Sequence, residues 1–277
     1  MNVEIIKANG TRQIFNRNKL ESSLLRTGAD NDTVQKVLAR IDAELHDGMT
    51  TTEIYNHALE LLRQNFRSAA HKYSLRRAIM ELGPVGYPFE KFVADLYRAR
   101  GYDAVTNQIV RGKCVEHEVD VVAWKGDELI MVEAKFHNEV GIKSDLKVAL
   151  YVKARTDDLS ASMFDFGGKI RKLTQGVLVT NTKFTEKAID YAACQGLKLI
   201  GWNYPAQGNL EHMIEEAGLH PVTSIPNLSE TNRRILVDNG LVLCKDVLAK
   251  KDILPSLGIP DNAVKIITDD ATMICGI

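Results

Sequence analysis

Asp120, Glu133 and Lys135 are the residues whose types and spacing could do chemistry. Val119 to Ala123 is an apolar run holding one carboxylate, Gly126-Asp127-Glu128 reads as a turn, and Leu129 to Val132 is a second apolar run that ends in Glu133-Ala134-Lys135. Two such runs around a glycine turn predict an antiparallel hairpin. Side chains alternate along a strand, so Glu133 and Lys135 share a face, and Asp120 can lie across from them. Two carboxylates can hold Mg²⁺ through hard oxygen ligands. A lysine beside an attacked phosphate orients the water or stabilises the developing charge, and that chemistry is phosphodiester hydrolysis. The alternative is a cross-face ion pair between Glu133 and Lys135 on an exposed strand. A carboxylate inside an apolar run is costly unless paired or metal-bound, which shifts the balance toward function.

The elements around this hairpin must position it. Phe89 to Arg100 predicts an amphipathic helix with Phe92, Val93, Leu96 and Tyr97 inward, ended by Gly101. Glu90 falls in its first turn, where a carboxylate also suits the helix dipole. Tyr102 to Val110 reads as a strand leading into the hairpin. Lys143 to Leu159 reads as one long helix on which Tyr151, Arg155 and Asp158 share a face. On that face Arg155 is either a phosphate contact or the partner of Asp158. His117 and His137 read as polar surface, although either lies close enough in sequence to approach a phosphate. Gly176 to Thr180 is a buried parallel strand, Thr185 to Gln195 a helix, and Leu197 to Gly201 another strand.

The order of these pieces resembles the PD-(D/E)xK nuclease superfamily in its Mrr-like restriction endonuclease branch. The resemblance rests on Asp120, on Glu133-Ala134-Lys135 as the ExK element, and on Tyr87 to Val93 as the first helix, with Glu90 as the helix carboxylate. It implies a central α/β/α mixed sheet over residues 87–227. It further implies Asp120 and Glu133 as ligands of Mg²⁺ or Mn²⁺, Lys135 serving the attacking water, Glu90 as an outer acid, and DNA as the substrate. A double-strand cut by single-site subunits would suggest a homodimer.

Residues 1–86 read as a hairpin followed by four helices. Val3 to Lys7 and Arg12 to Phe15 flank the turn signal Asn9-Gly10. Helices follow over 18–26, over 32–45, from a cap at Thr51 or Thr52, and over 68–82, where Gly83-Pro84 stops the last. Ile5 to Gly10, Ile14-Phe15, Asn18-Lys19-Leu20 and Gly48 to Tyr55 resemble the ATP-cone, a nucleotide-binding regulatory domain. That resemblance implies ATP or dATP as an effector, with Lys7 and Lys19 on the triphosphate and Thr51 at the nucleotide pocket. Lysines as point charges suit phosphates. Ala8 stands where the family usually carries arginine, so one phosphate contact is missing. No GxxxxGK[ST] loop occurs, and Gly167-Gly168-Lys169 lacks its spacing, so a bound nucleotide is expected to act as effector and not as hydrolysed fuel.

Residues 228–277 read as short helices over 229–237, from Lys245, and over 263–267, joined by turns at Asn239-Gly240 and Gly258-Ile259-Pro260. They weakly resemble helix-hairpin-helix modules, which grip a DNA phosphate with backbone amides. A packing or dimerisation unit is at least as good a reading, because basic and acidic residues nearly balance there.

The 277 residues, 45% hydrophobic and 26% charged, suit a globular chain of two or three domains. A net charge of −1 gives no bulk attraction for nucleic acid, so any basic surface must be local. Cys114, Cys194, Cys244 and Cys275 lack metal-ligand spacing and read as reduced thiols of a cytoplasmic protein. No apolar run approaches the length of a membrane span, and no signal peptide is evident. The expectation is a metal-dependent DNA endonuclease gated by a nucleotide. The rival is a catalytically silent, nucleotide-sensing DNA-binding or assembly module.

Overall fold

The computed structural model describes residues 3–7, 9–139, 141–226 and 228–276, apart from the side chains of Asn65, Arg67, Ser68 and His71. It divides into two compact units, Met1–Arg77 and Ala78–Ile277.

In the first unit β1 (Glu4–Ile6) and β2 (Arg12–Ile14) pair antiparallel, followed by α1 (Arg17–Leu25), α2 (Asn31–Glu44), α3 (Thr51–Asn65) and α4 (Arg67–Met80). Ala8 lies outside the described residues. Asn16, Asp30 and Thr50 cap the first three helices. The sequence pointed to Thr51 or Thr52 as the cap of α3. Thr50 takes that position because its hydroxyl accepts from Glu53 N at 3.1 Å while the Glu53 carboxylate accepts from Thr50 N at 2.7 Å. This reciprocal box satisfies two orphan donors at once and makes Thr51 the first helical residue. Leu24, Val34, Leu38, Ile41, Ala58 and Leu62 are fully buried and form the core of the unit.

The second unit is built on α5 (Tyr87–Ala99), β3 (Asp103–Arg111), β4 (Glu116–Lys125), β5 (Glu128–Lys135), β6 (Lys143–Ser144), α6 (Leu146–Ser160), β7 (Met163–Phe166), β8 (Lys169–Lys172), β9 (Gln175–Thr180), β10 (Lys183–Phe184), α7 (Glu186–Gln195) and β11 (Lys198–Ile200). Its main sheet runs β11-β9-β5-β4-β3. β3, β4 and β5 are antiparallel neighbours, whereas β5, β9 and β11 are parallel, so the sheet is mixed. The parallel half has the continuous apolar pattern of strands covered on both faces: five of six residues in β9 are buried. α5 packs on the antiparallel half through Phe89, Phe92, Val93 and Leu96, all at most 1% exposed.

Several elements differ from the sequence expectation. The helix expected from Lys143 begins at Leu146, because the Asp145 carboxylate caps it by accepting from Lys147 N at 3.0 Å and Val148 N at 3.3 Å. That frees Lys143 and Ser144 to pair in parallel with β10. Residues 163–172 form the hairpin β7–β8, which the sequence reading passed over. Gly167 and Gly168, with φ of 65° and 73°, supply its turn, so this Gly-Gly-Lys has a structural job. At the C-terminal end, α8 (Leu210–Ala217), α9 (Glu230–Asp238), α10 (Cys244–Ala249) and α11 (Asp261–Cys275) follow, and α11 is far longer than the Ala263–Ile267 segment expected. Its polar residues Thr268 and Thr272 bond back to Val264 O and Thr268 O at 2.9 and 2.8 Å and so do not end it.

The approach of α6 to β9 depends on Gly176. A Cβ there would lie 2.3 Å from Thr156 Oγ1 and 2.5 Å from its Cγ2. Gly176→Ala is therefore expected to destabilise the unit by about 1–3 kcal/mol. The double variant Gly176→Ala with Thr156→Ala is expected to recover part of that loss. Thermal unfolding of the two variants checks both statements.

Candidate active site

The four residues singled out for the nuclease-like chemistry line one cavity of about 300 Å³, together with Pro84, Gly86, Ala134, Phe136 and Asn138. Glu90 reaches it from the first turn of α5, Asp120 from β4, and Glu133 and Lys135 from the end of β5.

The backbone around Asp120 is arranged to free its side chain. The β4–β5 ladder stops at Val121–Val132, one step short of an Asp120–Glu133 pair. There the Asp120 carboxylate takes over as acceptor, with Oδ2 2.7 Å from Ala134 N. On the other side the β3–β4 ladder skips Asn107, which stands opposite Asp120 with φ 56°. Asparagine tolerates that left-handed conformation better than most residues. Both neighbouring ladders therefore break at the level of this aspartate.

The carboxylates are desolvated and crowd one another. Burial, followed by repulsion from Asp120, pushes the Glu133 carboxyl up to about 7, against the opposing pull of Arg155 and Lys135. Burial, then Asp120, Glu118 and Glu133, pushes Glu90 up to about 7 as well. Glu90 thus sits among the other carboxylates of the cavity as well as in the first turn of α5. Burial also raises Asp120, partly offset by the Ala134 amide and by Arg155. A cluster of like charges held out of water is the environment that a bound cation relieves.

Among the described residues, no group of three or more His, Cys, Asp or Glu side chains closes into a metal-ligating cluster. Two acidic side chains still fit Mg²⁺, which keeps several waters and is commonly held through one or two carboxylates. Asp120 and Glu133 have the hard-oxygen chemistry, and Asp120 Oδ2 is oriented by a backbone amide. The residues present therefore fit a divalent ion.

Two assignments left open in the sequence resolve here. Arg155 pairs with Glu133 and not with Asp158: its Nη1 donates to Glu133 Oε2 and, at 2.8 Å, to the Glu118 carbonyl. Its Nη2 donates to the Tyr151 hydroxyl, and the guanidinium lies 4.6 Å from the Tyr151 ring centroid. Asp158 instead meets His117 Nε2 at 2.8 Å and accepts from Cys114 N at 2.8 Å and Val115 N at 3.3 Å. The spacing of residues 151, 155 and 158 showed a shared face, but nothing in the sequence tied that face to Glu133. Asp158 thus anchors the 112–115 turn to α6, and His117 ties β4 to the same carboxylate. His137 is held by its backbone to Asn181, at 2.9 and 2.7 Å, with Nε2 3.1 Å from Ser144 Oγ.

The Asp158 latch gives a pH prediction. Its carboxyl is held well below the ordinary aspartate range, first by His117 and then by Cys114 and the turn amides, with burial opposing. The stabilisation is therefore present above the ordinary aspartate value and fades as pH falls through the depressed one. Asp158→Asn is expected to lower the melting temperature at pH 7 and to narrow the gap to wild type below pH 3, read by thermal melts.

In the first unit, Ile6 N donates to Met49 O at 3.0 Å and Ile6 bridges Thr50 in parallel. This brings Lys7, at the end of β1, and Thr51, at the start of α3, to one edge. Lys19 is exposed on α1, and among the described residues no hydrogen bond ties it to the other two. At the start of α3, the amides of Thr50 and Glu53 are engaged in the reciprocal box.

At the C-terminal end, the amides of Asn239, Gly240 and Leu241 bond to Ile235 O, Val237 O and Leu236 O at 3.2, 2.9 and 2.9 Å. Those of Gly258 and Ile259 bond to Pro255 O and Leu254 O at 3.0 and 3.2 Å. Lys91 of α5 donates to the Gly240 carbonyl, so the first of these turns is fastened to the sheet-bearing core.

Comparison with known proteins agrees with this architecture. Residues 85–203 match a restriction endonuclease family model (the Mrr catalytic domain), residues 3–81 an ATP cone domain, and residues 220–275 the C-terminal domain of AF1548-like proteins. The chain therefore joins an ATP cone to a restriction-endonuclease-like α/β domain and an AF1548-like C-terminal domain. It belongs to the family of an Archaeoglobus fulgidus protein described as uncharacterized, to which it is 38% identical over 185 residues, 66% of this chain and 100% of the relative. The crystal structure of AF1548, a protein of unknown function, is 37% identical, with a TM-score of 0.57 over 69% of this chain and 99% of that one. The MspJI restriction endonuclease, solved with a 27-mer oligonucleotide, is 12% identical with a TM-score of 0.35, covering 62% of this chain and 36% of that one.

Among the described residues, no helix is long and apolar enough to cross a membrane.

Proposed function

We propose that the chain is a metal-dependent DNA endonuclease of the Mrr-like type, whose N-terminal cone takes ATP or dATP as an effector. The observation that carries the reading is the convergence of Glu90, Asp120, Glu133 and Lys135 on one cavity, with the carboxylates desolvated. Asp120 and Glu133 would hold Mg²⁺ or Mn²⁺, with Glu90 as an outer carboxylate. A divalent ion there would polarise the scissile phosphate and lower the pKa of a bound water. Lys135, on the same face as Glu133, places an ammonium where it orients the attacking water and meets the developing charge. Glu90, raised to about 7, can accept or share a proton near neutral pH.

The division of labour follows the proposed domains: 1–86 for the nucleotide, with Lys7, Lys19 and Thr51 as its contacts; 87–227 for the cut; 228–277 as a helical unit. Because the amides at Gly240 and Gly258 bond within their own turns, that last unit serves packing in this reading and not phosphate capture. The four free thiols fit a reducing, cytoplasmic setting. A homodimer would supply the second site for a double-strand cut.

The Arg155–Glu133 ion pair favours a second reading, in which the fold is catalytically silent and serves nucleotide sensing or assembly. Incubation of the full chain with plasmid, branched and single-stranded DNA, with Mg²⁺ or Mn²⁺ and with chelator, separates the two. Chelator-sensitive cutting supports the nuclease. Intact DNA in every lane, with ATP binding still measurable by calorimetry, supports the sensor. Gating requires that ATP bind two conformations unequally, so equal cutting with and without ATP would remove the effector role alone.

A further inference from the structure

Glu133 is proposed above as a metal ligand, yet one of its oxygens already meets a cation. Arg155 donates to Glu133 Oε2, and both side chains are mostly buried, 14% and 18% exposed respectively. The guanidinium does not depend on Glu133 alone. It also holds the Glu118 carbonyl at 2.8 Å and the Tyr151 hydroxyl, and it lies on the Tyr151 ring. Its Nε is buried with no hydrogen-bond partner. An arginine held by a backbone carbonyl through Nη1 and by a tyrosine hydroxyl through Nη2 keeps two anchors besides Glu133. It can give up the carboxylate without leaving its seat.

We infer that Arg155 is the resident counter-cation of the carboxylate site, and that a divalent ion binds in competition with its guanidinium for Glu133. The inference rests on the metal-binding reading of Asp120 and Glu133. Its physical basis is charge and geometry. Glu90, Asp120 and Glu133 line one cavity with Lys135, Glu118 adds a like charge nearby, and Arg155 meets Glu133. A buried carboxylate without a partner is costly, and the arginine partners this one. Metal binding then replaces a single charge at Glu133 by a double one and leaves the arginine on Glu118 and Tyr151. The pair thereby sets a threshold for metal loading, because part of each metal–carboxylate interaction offsets the lost ion pair.

The consequence can be measured without DNA. Mn²⁺ binding to the full chain is followed by calorimetry for wild type, Arg155→Met, Arg155→Lys and Asp120→Asn, with folding checked by circular dichroism. Removing a neighbouring positive charge is expected to tighten Mn²⁺ binding about tenfold or more in Arg155→Met. Arg155→Lys keeps the charge on a shorter, flexible stem that loses the fork geometry, and is expected to fall between. If Arg155→Met fails to fold, Arg155→Lys decides. Unchanged or weaker Mn²⁺ binding in the folded arginine variants, with wild-type binding abolished by Asp120→Asn, would overturn the inference and leave Arg155 as a residue that only positions Glu133. Absence of Mn²⁺ binding in the wild type would remove both the metal reading and this one.

Discussion

Lys135→Ala is expected to fold normally and to cut DNA about a hundred- to a thousandfold more slowly than wild type, the usual cost of losing one preorganised charge at a reacting centre. Lys135 is exposed at the end of β5, so its side chain contributes little to the core, and the neighbours Val132 and Ala134 carry the packing. The loss should appear in the cleavage step and leave Mn²⁺ binding intact, because the lysine is not a ligand. Asp120→Asn should behave in the opposite way. The asparagine keeps an oxygen to accept from Ala134 N, so the hairpin end survives, but metal affinity falls and cleavage falls with it. Gel assays of cutting, beside calorimetry for Mn²⁺, separate the two classes. Wild-type cutting in Lys135→Ala would remove the lysine from the mechanism.

The second large effect is pH dependence. Glu133 and Glu90 are each held up to about 7 by burial and by neighbouring carboxylates. A metal ligand must be deprotonated, so Mn²⁺ binding and cleavage are expected to rise steeply as pH climbs through about 7, with proton release on binding near neutrality. The effect on stability has the opposite sign. Between the ordinary glutamate value and about 7 the folded chain holds protons that the unfolded chain has lost, so the stability of the metal-free protein declines as pH rises through that window. The decline is on the order of 3 kcal/mol from Glu133, with a smaller share from the half-exposed Glu90 after discounting it for solvent screening. Melting curves without metal at pH 5.5 and 8.5 check it, and Glu133→Gln should flatten the difference. Saturating Mn²⁺ should do the same, because the ion takes over the role of the proton. Metal-free stability that rises over that interval would contradict the described environment of these groups.

The residues that meet in the cavity were legible because they break the local pattern of the hairpin. An aspartate inside one apolar run and a Glu-x-Lys at the end of the next violate the logic of a buried hairpin. The hairpin period then places them on one face, and these residues line the cavity together with Glu90. The helix of Glu90 was equally plain from its apolar spacing and Gly101, although it begins at Tyr87, two residues before the expected Phe89. What escaped was non-local. Arg155 lies 22 residues from Glu133 in sequence, and its pairing depends on where α6 lands on the sheet. The same holds for Asp158, which takes His117 and the 112–115 turn 41 to 44 residues away. The break at Asn107 escaped because residue type alone does not mark a skipped ladder position, and only the left-handed φ shows it. Element ends failed where capping decided them: Asp145 outcompeted Lys143 as the start of α6, and Thr50 outcompeted Thr51 at α3. In both, a side chain one or two residues from the expected start satisfied more orphan amides.

If the carboxylate cavity cuts DNA with a bound divalent ion, supercoiled plasmid in Mn²⁺ should separate the wild-type chain from Asp120→Asn when the two are purified side by side. Wild type is expected to nick it in a metal-dependent, chelator-sensitive reaction that falls at least a hundredfold in the variant. Equal nicking by both proteins, or none by a wild type that binds Mn²⁺ in calorimetry, would contradict that role of the cavity.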